Sequence, residues 1–242
     1  MTSPSVPAGE TGPAPGLVSR FFGIITSPRA TYEAVVARPA WFGMLALTTV
    51  AMALLVGGFL STHVGQEAWL ESASNSPLTG PVSDEAYQAM QKMAGYVGYI
   101  TAASMLVMVP LFSTVIAGLL FAVFNAGLGG DASYKQVLAV VVHTGPLGLL
   151  AQLFTLPLNY LRGTMSSSSS LGALTQSILD EGSFLARLLG MIDLFVIWQL
   201  IVLSMGLAVL YRRRTQPIAT SLLVVYVVIA IIIAVVKRGA GA

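Results

Sequence analysis

The sequence predicts an all-α integral membrane protein with five transmembrane helices, preceded by short amphipathic interfacial helices. Two observations predict this class. Of the 242 residues, 55% are hydrophobic and 9% are charged, and the mean hydropathy of +0.81 is too high for a domain that faces water on all sides. In addition, the chain contains several long stretches with almost no charge, and about 20 apolar residues in a helix are enough to cross a bilayer.

The first 40 residues differ in composition from the rest of the chain. Residues 1–16 are rich in Pro, Ser, Gly and Thr, and we predict that they form a disordered tail. Residues 17–40 carry apolar side chains at helical spacing, interrupted by arginines. They predict two short helices in the membrane interface, with their apolar faces in lipid and their arginines near the phosphates. A cytosolic cap packed on the spans is the alternative.

The apolar stretches between residues 41 and 238 predict a transmembrane domain over this range. An acidic polar loop separates the first two spans, and Pro110 lies midway along the second. A run of serines, Ser166–Ser170, follows the third span, and we expect it to be flexible because its composition is of low complexity. The predicted spans are residues 41–60, 96–128, 134–160, 184–210 and 217–236.

The distribution of basic residues predicts the orientation. Most of the arginines fall on one side of the membrane if the N-terminus lies inside, and the acidic residues then fall mainly outside. The positive-inside rule therefore predicts a cytosolic N-terminus and an outside C-terminus. The bias towards Ala, Gly, Pro and Arg is typical of a bacterial source, so we place the protein in a bacterial inner membrane as a multi-pass protein.

A glycine-rich hairpin joins the second and third spans. Gly129 and Gly130 permit a tight turn, and the carboxylate of Asp131 is predicted to cap the third helix. The hairpin is cytosolic in the predicted orientation. We expect it to be a recognition element or a helix-packing element. Its candidate functional residues are Gly129, Gly130, Asp131, Tyr134, Lys135 and Gln136.

A short basic turn lies on the same predicted side of the membrane as the hairpin. Arg212, Arg213 and Arg214 are consecutive and join the fourth and fifth spans. Short polybasic runs beside a membrane attract anionic lipid head groups. We therefore predict a basic cytosolic face that binds anionic lipids or a protein partner.

Two ionisable residues fall inside predicted spans, His143 in the third and Asp193 near the outer end of the fourth. Burial of such groups in a bilayer is costly, so both are candidate functional residues. His143 precedes an expected helix break at Gly145–Pro146, where it either donates to a backbone carbonyl or forms a polar site with Pro146 nearby. Gln199 lies about 240° around the helix from Asp193, so the two are not expected to share one stripe.

Sequence motifs of several other classes are missing. There is no phosphate-binding Gly-rich loop with Lys-Ser/Thr, no His-Glu-x-x-His helix and no Gly-x-Ser-x-Gly turn. Cys is absent, and the net charge of +2 is spread along the chain. The sequence therefore predicts no enzymatic activity, no cofactor, no metal and no nucleic-acid partner.

Three segments carry a resemblance to a known family. SPRATYEAVVARP at Ser27–Pro39 precedes the first span, Gly129–Gln136 opens the third, and WQLIVLSMGL at Trp198–Leu207 lies in the fourth. Their order among five spans resembles the Yip-domain family of five-span membrane proteins, over about residues 17–236. The resemblance implies the architecture and a cytosolic N-terminus. The Asp-Leu-Tyr-Gly-Pro motif of eukaryotic members, which interact with Rab-type GTPases, is missing, so a GTPase partner is not implied.

These observations lead to one functional hypothesis and one alternative. The hypothesis is a non-catalytic adaptor or organising factor that contacts the bilayer, anionic lipids and a protein partner or a second copy of itself. The alternative is a transporter, channel or lipid-moving protein with a polar path near His143 and Asp193. Trp198 and Gln199, in the third of the resembling segments, are further candidate residues.

Overall fold

The structure is a computed structural model that describes residues 15–75, 82–165, 168–175 and 183–239. Within these residues every element is helical apart from an isolated antiparallel bridge between Ser170 and Asp193. The predicted all-α membrane fold is confirmed, whereas most of the predicted N-terminal tail lies outside the described residues. The α-helices are α1 Leu17–Thr26, α2 Pro28–Ala37, α3 Phe42–Leu60, α4 His63–Ser74, α5 Asp84–Ala94, α6 Val97–Phe121, α7 Tyr134–Val142, α8 Gly145–Arg162, α9 Leu171–Thr175, α10 Phe184–Met191, α11 Leu194–Leu210 and α12 Thr215–Gly239.

Four helical stretches in the described residues are long and apolar enough to cross a membrane. They are Phe42–Leu60, Val97–Gly127, Tyr134–Arg162 and Thr215–Val235, and the second ends in a π-helical turn, Ala122–Gly127. Helix α11 has 17 residues and spans about 25 Å, which is shorter than a hydrocarbon core of about 30 Å. Five spans therefore remain a prediction that depends on how α10 and α11 are counted.

The third of these stretches is the centre of the bundle. In its most apolar window 61% of the residues are buried, against 6% in the stretch that contains α6. Val137, Val140 and Leu147 are fully buried and pack in one core cluster with Val202 and Leu207 of α11. Because α6 is apolar and largely exposed, it presents its outer face to lipid.

The helix of the third stretch is interrupted between Val142 and Gly145. Pro146 lies in the first turn of α8, where a missing N–H costs no hydrogen bond. Further into a helix its ring would clash with the preceding turn. The break therefore falls where the sequence predicts it, and His143 and Thr144 connect the two helices.

The two N-terminal helices pack on the bundle. Ile24, Tyr32 and Val35 are fully buried, and the Tyr32 hydroxyl donates to the carbonyl of Val140 at 3.3 Å. The expectation that these apolar faces lie in lipid is thus wrong for this side, because the faces complete the core between α7 and α11. Val18 and Phe22 remain exposed on the other side of α1.

The predicted fourth span, residues 184–210, is divided into α10 and α11. Ile192 and Asp193 are extended, and the carbonyl of Ile192 accepts from the amide of Leu171 at 2.8 Å. This pairing replaces helical hydrogen bonds at the break. We call this end of the bundle, with Ser168–Ser170, the loop end, and the opposite end, with the hairpin and the basic turn, the hairpin end.

Candidate functional site

At the hairpin end, the two glycines of the hairpin have separate structural roles. Gly129 has φ +69°, in the left-handed region that side chains disfavour. Gly130 lies under the ring of Tyr211: a Cβ there would be 2.6 Å and 2.7 Å from two ring carbons. The Tyr211 ring in turn stacks on Phe124 with a centroid separation of 4.8 Å. The glycines therefore allow the hairpin to contact the end of α11.

Asn125 holds this contact together. Its side-chain amide donates to the carbonyl of Ala132 at 2.7 Å, and its side-chain oxygen accepts from the Tyr211 hydroxyl at 2.7 Å. Burial raises the pKa of the Tyr211 phenol, and the carboxylate of Asp131 raises that pKa further, so the phenol stays a donor. Asn125 was not among the sequence candidates, although an amide in the last apolar turn of a span is a visible signal.

The cap of the third helix differs from the prediction. Ser133 is the N-cap residue: its hydroxyl accepts from the amide of Gln136, whose side-chain oxygen accepts from the amide of Ser133. This reciprocal pair is a capping box. Asp131 lies two residues before the cap and is exposed, so its predicted capping role is wrong.

The polar residues of the hairpin motif tie neighbouring helices together. The Tyr134 hydroxyl donates to the carbonyl of Thr114 in α6 at 2.9 Å, and the Gln136 amide donates to the carbonyl of Val36 in α2 at 3.3 Å. Of the motif residues, Lys135 extends into solvent without such a contact in the described structure. The contacts of Tyr134 and Gln136 are therefore those of a helix-packing element.

The basic turn is built on the same contact region. Arg212 has φ +51°, and Arg213 donates to the carbonyl of Leu128 in the hairpin at 2.8 Å. All three arginines are exposed. Arg213 also borders an apolar cleft of about 340 Å³ between the end of α6 and the start of α12, which Leu120, Leu222 and other apolar residues line.

His143 is enclosed by the bundle. Its side chain is fully buried, Nδ1 lies 2.7 Å from the carbonyl of Ala139, and Nε2 lies 3.3 Å from a guanidinium nitrogen of Arg20. A carbonyl only accepts and a guanidinium only donates, so the partners assign the proton to Nδ1 and leave the ring neutral. Arg20 also donates to the carbonyl of Ala40 at 3.0 Å. His143 therefore closes the helix break and holds α1.

At the loop end, Asp193 organises the break between α10 and α11. One carboxylate oxygen accepts from the amides of Phe195 and Val196, and the other accepts from the hydroxyl of Ser169. Its own amide donates to the hydroxyl of Tyr226 in α12 at 2.9 Å. Asp193 is therefore the N-cap of α11 and is not a residue two turns inside a continuous helix.

The serine run is ordered where the structure describes it. Ser168, Ser169 and Ser170 are buried, and Ser168 donates to the side-chain oxygen of Asn159 at 2.9 Å. The expectation of a flexible run is wrong for these three residues, because they are buried and their run forms hydrogen bonds with Asn159 and Asp193. Ser166 and Ser167 lie outside the described residues.

A polar cavity of about 360 Å³ lies beside this break, between α3, α8 and α11. From α8 it is lined by Gln152, Thr155 and Asn159, and from α11 by Asp193 and Gln199. The last two share the cavity because Asp193 is extended, so the count around a continuous helix does not apply to it. His143 is not among the lining residues, and Trp198 faces a neighbouring apolar cleft.

Gln152 and Gln199 line this cavity and are half-buried, and their side-chain amides have no hydrogen-bond partner in the described part of the chain. Gln199 is a sequence candidate because it lies in the third family-resembling segment, whereas Gln152 lies outside those segments and is not ionisable. The signal was present as a polar stripe on α8, in which Gln152, Thr155 and Asn159 repeat at helical spacing. Over the described residues, no group of three or more His, Asp or Glu side chains could hold a metal ion.

Comparison with known proteins identifies the family. The profile of the Yip1 domain matches residues 22–236. The chain belongs to the Yip1 domain family. It is 27% identical over 192 residues to the membrane protein YknW of Bacillus subtilis (strain 168), covering 77% of this chain and 76% of that protein. No solved structure matches the chain at a significant level. The Yip1 domain includes both the hairpin end and the polar cavity.

Proposed function

We propose that this Yip1-family membrane protein is a non-catalytic organising factor of a bacterial inner membrane, with a cytosolic hairpin end that binds anionic lipids and thereby positions a protein partner. The observation that carries the proposal is the position of Arg213 at the border of the apolar cleft between α6 and α12. A lipid phosphate beside Arg213 would leave its acyl chain in that cleft. Arg212, Arg214 and Lys135 are exposed on the same end and add positive charge.

The structural roles of Tyr134 and Gln136 support the assignment of lipid binding to the basic residues of the hairpin end. Tyr134 and Gln136 are engaged with neighbouring helices, so the basic side chains are the groups that remain available at this end. Arg213 both contacts the hairpin and borders the cleft. A lipid bound in the cleft would therefore contact Arg213, which in turn holds the hairpin.

The test replaces Arg212 and Arg214 by glutamine and retains Arg213, which supports the hairpin. Each basic residue near an anionic surface contributes about 1 kcal/mol. The double variant should therefore bind phosphatidylglycerol about thirtyfold more weakly. Native mass spectrometry of the detergent-extracted protein measures the bound lipid, and crosslinking in native membranes measures partner recovery.

The matched control removes two positive charges at the loop end, Lys92→Gln with Arg162→Gln, both of which are exposed. The control should keep the lipid profile of the parent protein. Equal lipid binding in the parent and in the Arg212→Gln/Arg214→Gln variant would contradict the proposal.

Transport is the second candidate, because two long apolar segments are interrupted and the polar cavity lies beside one interruption. Any continuous path would have to pass the packed region in which His143 contacts Ala139 and Arg20. Proton and potassium flux into liposomes, compared between the parent and His143→Ala with Asp193→Asn, tests this candidate. Flux that is absent, or that both changes leave unaltered, argues against a polar relay.

A further inference from the structure

The polar cavity at the loop end contains hydrogen-bonding groups that the protein itself does not use. Gln152 of α8 and Gln199 of α11 both line it, and neither amide has a partner among the described residues. A Cβ on Gly148 would lie 3.5 Å from the amide nitrogen of Gln199, which places that amide close to the backbone of α8. An unpaired amide within an apolar span is costly. Both side chains are half-buried, so their amides can bond a polar group that enters the cavity.

The volume of the cavity exceeds what a few structural waters need. A water molecule occupies roughly 30 Å³ in the liquid, whereas the cavity measures about 360 Å³. Thr155 and Asn159 extend the polar lining along α8, which with Gln152 covers about two turns of that helix. The cavity can accommodate a group with several donors and acceptors.

Two apolar clefts adjoin the cavity on opposite sides of the polar stripe of α8. The first, of about 330 Å³, shares Ser169 and Phe195 with the cavity and is lined further by Phe154 and Trp198. The second, of about 270 Å³, shares Gln152 with the cavity and lies between α3 and α8. One polar cavity between two apolar clefts matches the division of a diacyl lipid into one head group and two chains.

The charge of the lining restricts the head group. Among the described residues that line the cavity, Asp193 is the ionisable one, and its carboxylate accepts from backbone amides and from the hydroxyl of Ser169. A phosphodiester accepts hydrogen bonds from the amides of Gln152 and Gln199, while an ammonium group is attracted to the carboxylate of Asp193. A net negative head group would meet the like charge of Asp193, and no described residue of the lining is basic.

We propose that this cavity is a lipid site, which binds the head group of a zwitterionic, amine-bearing phospholipid such as phosphatidylethanolamine through Gln152, Gln199 and Asp193. The acyl chains of the lipid lie in the two adjoining clefts. The site is separate from the basic hairpin end, lies at the opposite end of the bundle and has the opposite charge preference. It assigns a chemical role to Gln152, which none of the family-resembling segments contains.

Trp198 offers a direct probe, because it lines the first apolar cleft. A variant with Trp41→Phe and Trp69→Phe retains Trp198 as the only tryptophan. In detergent micelles, this variant is titrated with phosphatidylethanolamine that carries brominated acyl chains, which quench nearby tryptophan. We expect saturable quenching, with apparent affinity about tenfold higher than for phosphatidylglycerol with the same chains.

The Gln152→Leu/Gln199→Leu variant should bind phosphatidylethanolamine about tenfold more weakly, because two hydrogen bonds to the head group are lost. Gln216→Leu, on the exposed start of α12, is the matched control and should quench as the parent does. Equal quenching by the two lipids, or quenching that the double variant leaves unchanged, overturns the proposal. The comparison of lipids needs only the tryptophan reporter, so it decides the matter even if the leucine variant does not fold.

A soluble competitor separates a lipid from a free solute of the same chemistry. Phosphoethanolamine without acyl chains should leave the quenching unchanged at concentrations at which the lipid saturates the site, because it lacks the chains that occupy the clefts. If it displaces the lipid with similar affinity, the site takes a soluble compound and the lipid assignment is wrong.

Discussion

The two ends of the bundle use glutamine in opposite ways. At the hairpin end, Gln136 completes a capping box and donates to the carbonyl of Val36, so both its backbone and its side chain support the fold. At the loop end, Gln152 and Gln199 face a cavity and have no partner in the part of the chain that the structure describes. A polar group that the fold does not satisfy is the better indicator of a ligand, since a satisfied one already has a structural explanation.

The largest effect that would test this comparison is expected at the hairpin. Gly130→Ala adds a Cβ within 3 Å of the Tyr211 ring and of the carbonyl of Phe124. Overpacking of this kind should lower the free energy of unfolding by about 2 to 3 kcal/mol. Denaturant titration in mixed micelles measures it. Gly127→Ala, where nothing lies within 4 Å, is the control, and equal losses in both variants would show that the hairpin contact is not specific.

An intermediate effect comes from one substitution made at both ends. Gln136→Leu removes the capping partner and the contact with α2, and should lower the free energy of unfolding by about 1 to 2 kcal/mol. Gln152→Leu should change it by less than about 0.5 kcal/mol or raise it, because the amide it removes has no partner. The same titration compares them. A loss at Gln152 as large as that at Gln136 would mean that the cavity amide is structural.

The smallest effect concerns the pH dependence of the hairpin end. The pKa of Tyr211 is raised in the folded state above its ordinary value of 10.0, chiefly by burial and also by Asp131. The stabilising contribution of the protonated phenol is thus fully present below about pH 10 and is lost as the pH rises towards the folded pKa. The melting temperature of Tyr211→Phe should therefore approach that of the parent above pH 10. A constant difference from pH 8 to 11 would contradict this.

Much of the architecture was predictable from hydropathy and breaker residues. The charge-free stretches predict the long helices. Pro146 predicts the interruption of the third one, because proline lacks an N–H and its ring crowds the preceding turn, although Pro110 and Pro157 lie inside α6 and α8. Ser133 with Gln136 three residues later is a capping-box signature. The sequence therefore also contains the signal for the observed cap, in addition to the nearby carboxylate of Asp131. Local patterns of this kind depend on residues within a few turns of one another.

Features that depend on distant contacts were not predictable in the same way. The burial of Ser168–Ser170 follows from Asn159 and Asp193, which a low-complexity run does not reveal. The docking of α1 and α2 requires Tyr32 to reach Val140, and that partner is not visible in an amphipathic pattern. Gln152 was missed for a different reason, since it is polar but not ionisable and lies in an otherwise apolar run.

The contact between Arg20 and His143 also has a consequence for biosynthesis. The two residues are 123 positions apart in the chain, and α1 is made long before its binding surface exists. At 5 to 20 residues per second, a ribosome needs about 6 to 25 s to reach His143 after Arg20. During that interval the apolar face of the first helices lacks its partners in α7 and α11. The nascent chain must therefore hold them at the lipid surface or on a chaperone until the third and fourth spans arrive.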